Sequence, residues 1–421
     1  MKVLVVGGGG REHAICWKLK QSPRVTELFC APGNAGIEEI AICVPIPAVA
    51  VHEIVEFAVK EKFDLVFVAP DDPLALGLVD RLQEAGIRAF GPRANAAVIE
   101  ASKAFSKNLM KKYNIPTAKY EIFTNLAEAR DYIETQDLPI VIKADGLALG
   151  KGVIIAETLE EARNAVGSMM EDQAFGDAGK TVVIEECMTG PELTVLAFAD
   201  GKTVLPMISS RDHKRAYDGD KGKNTGGMGA VTPGADLSAE EEKEMYDTIF
   251  RPTIEALKKE GRPFSGVIYF GLMLTPEGPK VIEYNARFGD PEAQAVLPRL
   301  QNDLMEIIDA CIDGTLDKVV LSWKPGASCC VVMASGGYPE QYGKGYEIKG
   351  IGDTGKIVFH AGTKRVDGKV VTSGGRVLCV YADAPTLEEA IDSAYEGVHK
   401  ISFEKMHFRT DIGRTLPGGK S

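Results

Sequence analysis

The sequence predicts a multidomain protein of mixed α/β and α+β class. An N-terminal parallel α/β domain is followed by a central domain with a small lid lobe and by a C-terminal β-rich domain. Three observations predict it. Apolar β-type runs alternate with helix-length segments through the first hundred residues, the pattern of a parallel sheet with right-handed crossovers. Further on, the apolar run Pro139-Ile-Val-Ile-Lys143 passes through a glycine-rich stretch and re-enters a second run, Val153-Ile-Ile-Ala156. From about Pro325 onward, β-branched runs and turns dominate.

In the N-terminal domain, residues 1–102, strands are expected at 2–6, 28–30, 65–68 and 89–90, with helices at 11–21, 52–61 and 73–85. Ligands of such sheets collect at the carboxyl ends of the strands, where residues 7–10, 32–36 and 70–73 fall. The central domain, 103–320, opens with a helix at 103–113 that closes before Pro116. Its lid lobe, about 117–190, carries two hairpin-like strand runs, a helix at 159–170 and a strand at 181–185; a larger strand-rich core resumes at Leu193. In the C-terminal domain, 325–421, Val366-Asp-Gly-Lys369 is an Asp-Gly hairpin signal, and a helix is expected at 387–398. Residues 414–421 read as a loose polar tail.

The 421 residues suggest about three domains. A net charge of −12 argues against a nucleic-acid coat or a polybasic membrane contact, while leaving local Lys/Arg clusters free to bind anions. The eight cysteines are scattered without a CxxC pair, which fits reduced thiols in the cytoplasm rather than disulfides or a zinc site. The run Met1-Lys-Val-Leu-Val-Val6 is too short for a signal peptide, and nothing approaches a membrane span.

Lys143 and the segment Asp145, Gly146, Gly150, Lys151 and Gly152 carry the sharpest signal. Bare glycine N–H groups can cradle phosphate oxygens, and the lysines add positive charge at either end. A P-loop is excluded by spacing: Gly146 and Gly150 are one residue too close, Gly152 stands where a Ser or Thr is needed, and a strand follows instead of a helix. A hairpin flap over a nucleotide is the better reading, with a mobile surface hairpin as the alternative. The N-terminal Val5-Val-Gly-Gly-Gly-Gly-Arg-Glu-His13 has the strand–glycine–helix context of a phosphate site, yet Glu12 or His13 occupies the third glycine of a dinucleotide fingerprint. NAD is therefore disfavoured; a monophosphate site and a ligand-free sharp turn both remain open.

Glu185, Glu186 and Cys187 end a strand leaving the lid, where a base between lobes would meet main-chain groups. Glu192 follows just beyond and can accept from ribose hydroxyls. The loop from Ser209 to Gly229 packs basic, acidic and glycine residues into about twenty positions, a length more often functional than idle. Strand alternation then puts Glu283, Asn285 and Arg287 on one face. The first two offer oxygens suited to Mg²⁺, and the third is placed to neutralise a transferring phosphoryl group.

These elements in this order resemble the ATP-grasp enzymes. Over nearly the whole length the chain resembles more closely the phosphoribosylamine–glycine ligase (glycinamide ribonucleotide synthetase) family. The resemblance is carried by Gly9-Gly-Arg-Glu-His-Ala14, Ala31-Pro-Gly-Asn-Ala-Gly36, Ser102-Lys-Ala-Phe105, the flap, Phe175-Gly-Asp-Ala178, Asp212-His-Lys214, Asn224-Thr-Gly-Gly-Met-Gly229, Glu283-Tyr-Asn-Ala-Arg-Phe-Gly-Asp-Pro-Glu292 and Val371-Thr-Ser-Gly-Gly-Arg376. It implies an ATP-grasp domain behind a pre-ATP-grasp domain, and ATP-dependent joining of glycine to 5-phosphoribosylamine through a glycyl phosphate, in purine synthesis. It further implies that Lys103 and Lys143 contact ATP phosphates under the Asp145–Gly152 flap. Glu185, Glu186 and Cys187 would border adenine, with Glu192 at the ribose, Glu283 and Asn285 holding Mg²⁺ or Mn²⁺, and Arg287 steadying the acyl phosphate. Substrate contacts are expected from Gly9, Gly10, Arg11, Glu12, Asn34, Asp71, Asp212, His213, Lys214, Asn224, Gly226, Gly227, Gly289 and Asp290. A cytoplasmic monomer without nucleic-acid or membrane partners is the corresponding expectation. The chain departs from the family in having Asp71 where a glutamate is common, and no second metal carboxylate at residues 266–274. A dehydrogenase, a non-catalytic nucleotide sensor and a bicarbonate-using carboxylase are the rival readings.

Overall fold

The computed structural model describes residues 1–146, 152–172 and 176–414, so the expected tail beyond Arg414 lies outside the described residues. In the N-terminal region, strands Ile42–Cys43, Glu27–Pro32, Lys2–Gly7, Leu65–Val68 and Ala89–Phe90 lie side by side in that order. All their pairings are parallel. Helices cover both faces, which is why the two central strands read as unbroken apolar runs and not as alternation. The short strand at 42–43 and the helix Ala94–Ala101 are additions to the sequence reading. The single helix expected at 73–85 is two, Asp71–Ala75 and Leu78–Glu84, broken at Gly77, whose φ of +79° is a left-handed turn that glycine adopts freely.

The lid lobe is a four-stranded antiparallel sheet in the order Tyr120–Phe123, Val182–Glu186, Ile140–Ala144, Val153–Ala156. Helices Leu126–Ile133 and Leu159–Met170 bury its apolar face. Thr158 and Glu161 form a reciprocal capping box at the start of the second. The central core is another antiparallel sheet, ordered Val204–Pro206, Glu192–Asp200, Ser265–Thr275, Gly278–Asn285. Its register sets Asn285 beside Tyr269 and Glu283 beside Gly271.

The C-terminal sheet crosses the boundary expected at 320–325. From the central region, strand Arg211–Asp212 pairs with Gly229–Thr232, which pairs onto Ala327–Ser335, followed by Arg376–Ala384 and Ile357–His360. Helix Leu387–Val398 packs on that sheet. Helix Leu304–Asp313, in turn, shares its apolar cluster with the N-terminal sheet. The regions are therefore welded by common cores, and the 209–229 loop is anchored at both ends in a sheet.

Asn34 is one of the welds. Its Nδ2 donates to Gly8 O at 3.0 Å and to His360 O at 2.8 Å, while Oδ1 accepts from the Gly36 and Ile37 N–H groups at 3.0 Å. Beside it, the His360 N–H donates to His13 Nδ1 at 2.8 Å, and burial holds His13 neutral with a pKa lowered to about 3. Asn34→Ala strips these buried groups of partners and should cost about 2–4 kcal/mol, given 1–3 kcal/mol per orphaned buried group. The urea midpoint of the purified variant measures this.

Candidate active site

A cleft of about 880 Å³ opens where the lid, the central sheet, the N-terminal domain and the C-terminal domain meet. Lys143 and Glu283, separated by 140 positions of sequence, both line it, and Lys143 Nζ donates to Ile282 O at 3.2 Å. Strand Ile140–Ala144 supplies Lys143, and helix Lys103–Tyr113 supplies Lys103 and, one turn on, Lys107. Lys107 and Lys143 share one carboxylate: each Nζ lies 3.0 Å from Glu185 Oε2. All three side chains are buried, and Glu185 Oε1 has no partner. Lys103 Nζ donates to Gly146 O at 2.8 Å at the root of the flap. Burial lowers Lys103, and it lowers Lys107 to about 8 while Glu185 pulls the latter back up.

On the facing wall, Lys214 Nζ sits 3.4 Å from Glu283 Oε1 and 3.5 Å from Glu192 Oε2. Lys214 first, with Lys143 and Lys103 behind it, holds Glu283 below the ordinary carboxylate range against the opposing pull of burial. Asn285 Oδ1 meets Arg287 Nη2 only at 3.5 Å, leaving acceptor capacity open. Among the described residues, no cluster of three or more His, Cys, Asp or Glu could hold a metal by itself. The donor set of one carboxylate and one amide oxygen fits a hard cation that takes its remaining ligands from phosphate and water.

Arg287 points toward the N-terminal domain, 2.9 Å from Glu100 Oε1 and 3.8 Å from Asp71 Oδ2. Burial would raise Asp71, but Arg287 and Arg11 outweigh it and keep the carboxyl low. Arg11 lines the same end and donates to Phe288 O at 3.1 Å. Arg376, from the C-terminal domain, donates to Gly226 O at 2.6 Å and lies 3.3 Å from Asp290 Oδ2. Asp212 borders the cleft with Oδ1 unpartnered; burial and then Glu292 push its carboxyl well above the usual range. Tyr269 and Glu292 complete that corner.

The cleft thus gathers Arg11, Asp71, Lys103, Lys143, Gly146, Gly152, Glu185, Glu186, Cys187, Glu192, Asp212, His213, Lys214, Asn224, Gly226, Glu283, Asn285, Arg287, Gly289 and Asp290. Gly150 and Lys151, at the tip of the expected flap, lie outside the described residues. Several expected contacts are spent inside the protein. Asp145 accepts from Ser102 Oγ at 3.1 Å and Ala104 N at 3.0 Å, fastening the flap root to a helix N-terminus. Glu12 caps its own helix by accepting from Gly9 N at 2.6 Å and binds Arg11 at 2.7 Å. The four polar contacts of Asn34 described above leave it nothing to offer a ligand. His213 Nε2 accepts from Gly413 N, and burial lowers its pKa to about 4. Gly9, Gly10 and Gly227 shape walls: a Cβ on Gly10 would fall 2.4 Å from Gln294 Nε2, and one on Gly227 2.4 Å from Pro291 Cδ. Glu186 is half-committed, with Oε1 accepting from Lys119 N at 3.0 Å.

Three family models cover most of the chain: phosphoribosylglycinamide synthetase, N domain, over 1–100; its ATP-grasp (A) domain over 101–293; and its C domain over 328–415. The chain belongs to the phosphoribosylglycinamide synthetase family. A phosphoribosylamine–glycine ligase of Halalkalibacterium halodurans is 50% identical over 98% of this chain and 96% of that one. The crystal structure of the Thermotoga maritima phosphoribosylamine–glycine ligase superposes with a TM-score of 0.86 at 34% identity, covering 98% of this chain and all of that one. The biotin carboxylase domain of a Hydrogenobacter thermophilus 2-oxoglutarate carboxylase shares the fold, with a TM-score of 0.72 at 16% identity over 96% and 91% of the two chains.

In this member of the family, sequence reasoning missed Lys107, Glu100, Tyr269, Glu292 and Arg376 as cleft residues. Lys107 had a legible signal, since four residues beyond Lys103 puts it on the same helix face. With burial lowering the Lys107 ammonium to about 8, the KM for ATP should rise between about pH 7.5 and 9.5. Lys107→Met should abolish that rise and carry a KM about tenfold higher at pH 7.5, the ~1.4 kcal/mol of one charge-assisted hydrogen bond. Initial-rate measurements across the range check both.

Proposed function

We propose that the chain joins glycine to 5-phosphoribosylamine at the expense of ATP. The products are N1-(5-phosphoribosyl)glycinamide, ADP and phosphate, in de novo purine synthesis. The observation that carries the reading is the cleft itself: buried lysines from lid and core face a carboxylate–amide pair and an arginine. A carboxylate is a poor electrophile, so the glycine carboxyl oxygen attacks the γ-phosphorus of ATP and ADP leaves. The amine then attacks the acyl carbon, phosphate departs, and the nitrogen loses its proton. Such phosphoryl transfer needs positioning and charge neutralisation more than a protein nucleophile.

Lys103, Lys107 and Lys143 are placed to take the phosphate charge, with main-chain groups at residues 186–188 beside the base and Glu192 near the ribose. Glu283 and Asn285 would hold a divalent cation, Mg²⁺ or Mn²⁺, which supplies charge neutralisation on the phosphates when bound. Arg287 lies one step along from that pair, at the passage toward Asp71 and Arg11, the end we assign to phosphoribosylamine. Arg376, Asp290 and the 212–229 loop enclose the space between. The described residues contain no helix long and apolar enough to cross a membrane; a cytoplasmic monomer is part of the proposal.

ADP release with Mg²⁺, ATP, glycine and freshly generated phosphoribosylamine, each omitted in turn, tests the reading. Release should require all of them, and turnover indifferent to glycine would end it. Glu283→Ala should lower kcat by about 10³-fold, the several kcal/mol of charge stabilisation that a held cation contributes. Its circular dichroism spectrum should remain that of the wild type. Near-normal turnover in that variant would put the cation elsewhere.

A further inference from the structure

Glu100 has no part in the nucleotide or cation contacts above, yet it stands in the cleft wall, at the end of helix Ala94–Ala101. Its two oxygens have different partners. Oε1 lies 2.9 Å from Arg287 Nη2, and Oε2 accepts from the Ala286 N–H at 2.7 Å. Both partners are the two residues that follow Asn285, immediately after the strand that bears Glu283 and Asn285. One carboxylate from the N-terminal domain therefore grips the main chain and the guanidinium of the central domain together.

The remaining restraints on that guanidinium are weaker. Asp71 Oδ2 is 3.8 Å away, Nη1 donates to Phe288 O at 3.3 Å, Nη2 reaches Asn285 Oδ1 only at 3.5 Å, and the buried Nε has no partner. Stability alone does not account for the arrangement. Burial raises the Glu100 carboxyl to about 7 even though Arg287 pulls it down, and a buried ion pair contributes little beyond what apolar packing would. Geometry does account for it, because an arginine that must face a transferring phosphoryl group has to be held in one orientation.

We propose that Glu100 is a positioning residue: by holding the Ala286 N–H and the Arg287 guanidinium in one grip, it sets the direction in which Arg287 faces the phosphoryl group. The residue touches neither ATP nor glycine in this scheme and acts through Arg287. The inference rests on the acyl-phosphate reading given under Proposed function. The geometry also makes it separable from a merely structural role, since Glu100→Gln keeps an acceptor for Ala286 N while removing the negative charge that faces Arg287.

The test is steady-state ADP release by full-length wild type, Glu100→Gln, Arg287→Gln and the double variant, with thermal melting of each. Wild type that releases no ADP in response to glycine refutes the functional reading itself, before Glu100 is considered. With that dependence present, Glu100→Gln should lower kcat about 10- to 100-fold, the penalty of a displaced catalytic group, and leave the KM for ATP within about threefold. In the Arg287→Gln background the same change should cost less than about threefold, because residues acting as a unit are not additive. A Glu100→Gln kcat within about twofold of wild type overturns the proposal, as does a loss that simply multiplies that of Arg287→Gln. Should Glu100→Gln not fold, Glu100→Asp takes its place in the same cycle and is judged by the same non-additivity.

Discussion

The architecture of the cleft depends on an excess of buried positive charge at its roof. Lys107 and Lys143 share a single oxygen of Glu185, while Lys103 donates to the Gly146 carbonyl and feels the charges of Glu283, Asp145 and Glu100. Taking an ammonium group out of water costs several kcal/mol, and the one carboxylate shared by the buried pair Lys107 and Lys143 does not offset two of them. Burial accordingly drives Lys103 and Lys107 toward the neutral form. A protein keeps such an arrangement where a polyanion supplies the missing charge. The facing wall complements it: Glu283 is held ionised by the lysines around it and stands next to an amide oxygen with capacity to spare.

The fold explains how residues so far apart in sequence meet there. Lys143 of the lid reaches the main chain of the central strand ending at Asn285, and the 212–229 loop is fixed at both ends by strands that join the C-terminal sheet. Asn34 and the His13–His360 contact lock that sheet to the N-terminal domain. Glu100 continues the theme from the other side by tying the N-terminal domain to the end of the catalytic strand. The N-terminal and C-terminal regions thus act as walls of one site.

Much of this was legible in the chain. Parallel strands and the lid hairpin follow from apolar runs and glycine punctuation, local signals; strand alternation holds for Glu283 and Asn285 but not for Arg287, because the strand ends at Asn285 and Arg287 turns to Glu100. What was not legible depends on tertiary partners. Gly77 splits a helix that the apolar pattern runs together, because periodicity does not register a left-handed residue. The sheet shared across residues 320–325 pairs segments about a hundred positions apart, which no local pattern encodes. Asn34, Glu12, Asp145 and His213 looked available to substrates because they are polar residues at strand and helix ends. The structure shows their hydrogen bonds already committed to backbone. Arg376 reaches the cleft through the packing of the C-terminal sheet, whereas Glu292, at the start of helix Glu292–Val296, follows the expected site residue Asp290 by two positions and could have been read from it.

The central claim is that the lysine-lined roof and the Glu283–Asn285 wall enclose a metal-bound triphosphate. A crystal structure with Mg²⁺ and a non-hydrolysable ATP analogue tests it most directly. The account predicts phosphate density between Lys103, Lys107 and Lys143, with the cation bound to Glu283 and Asn285 Oδ1. Phosphate density outside that cleft, or a cation on other side chains, would contradict it.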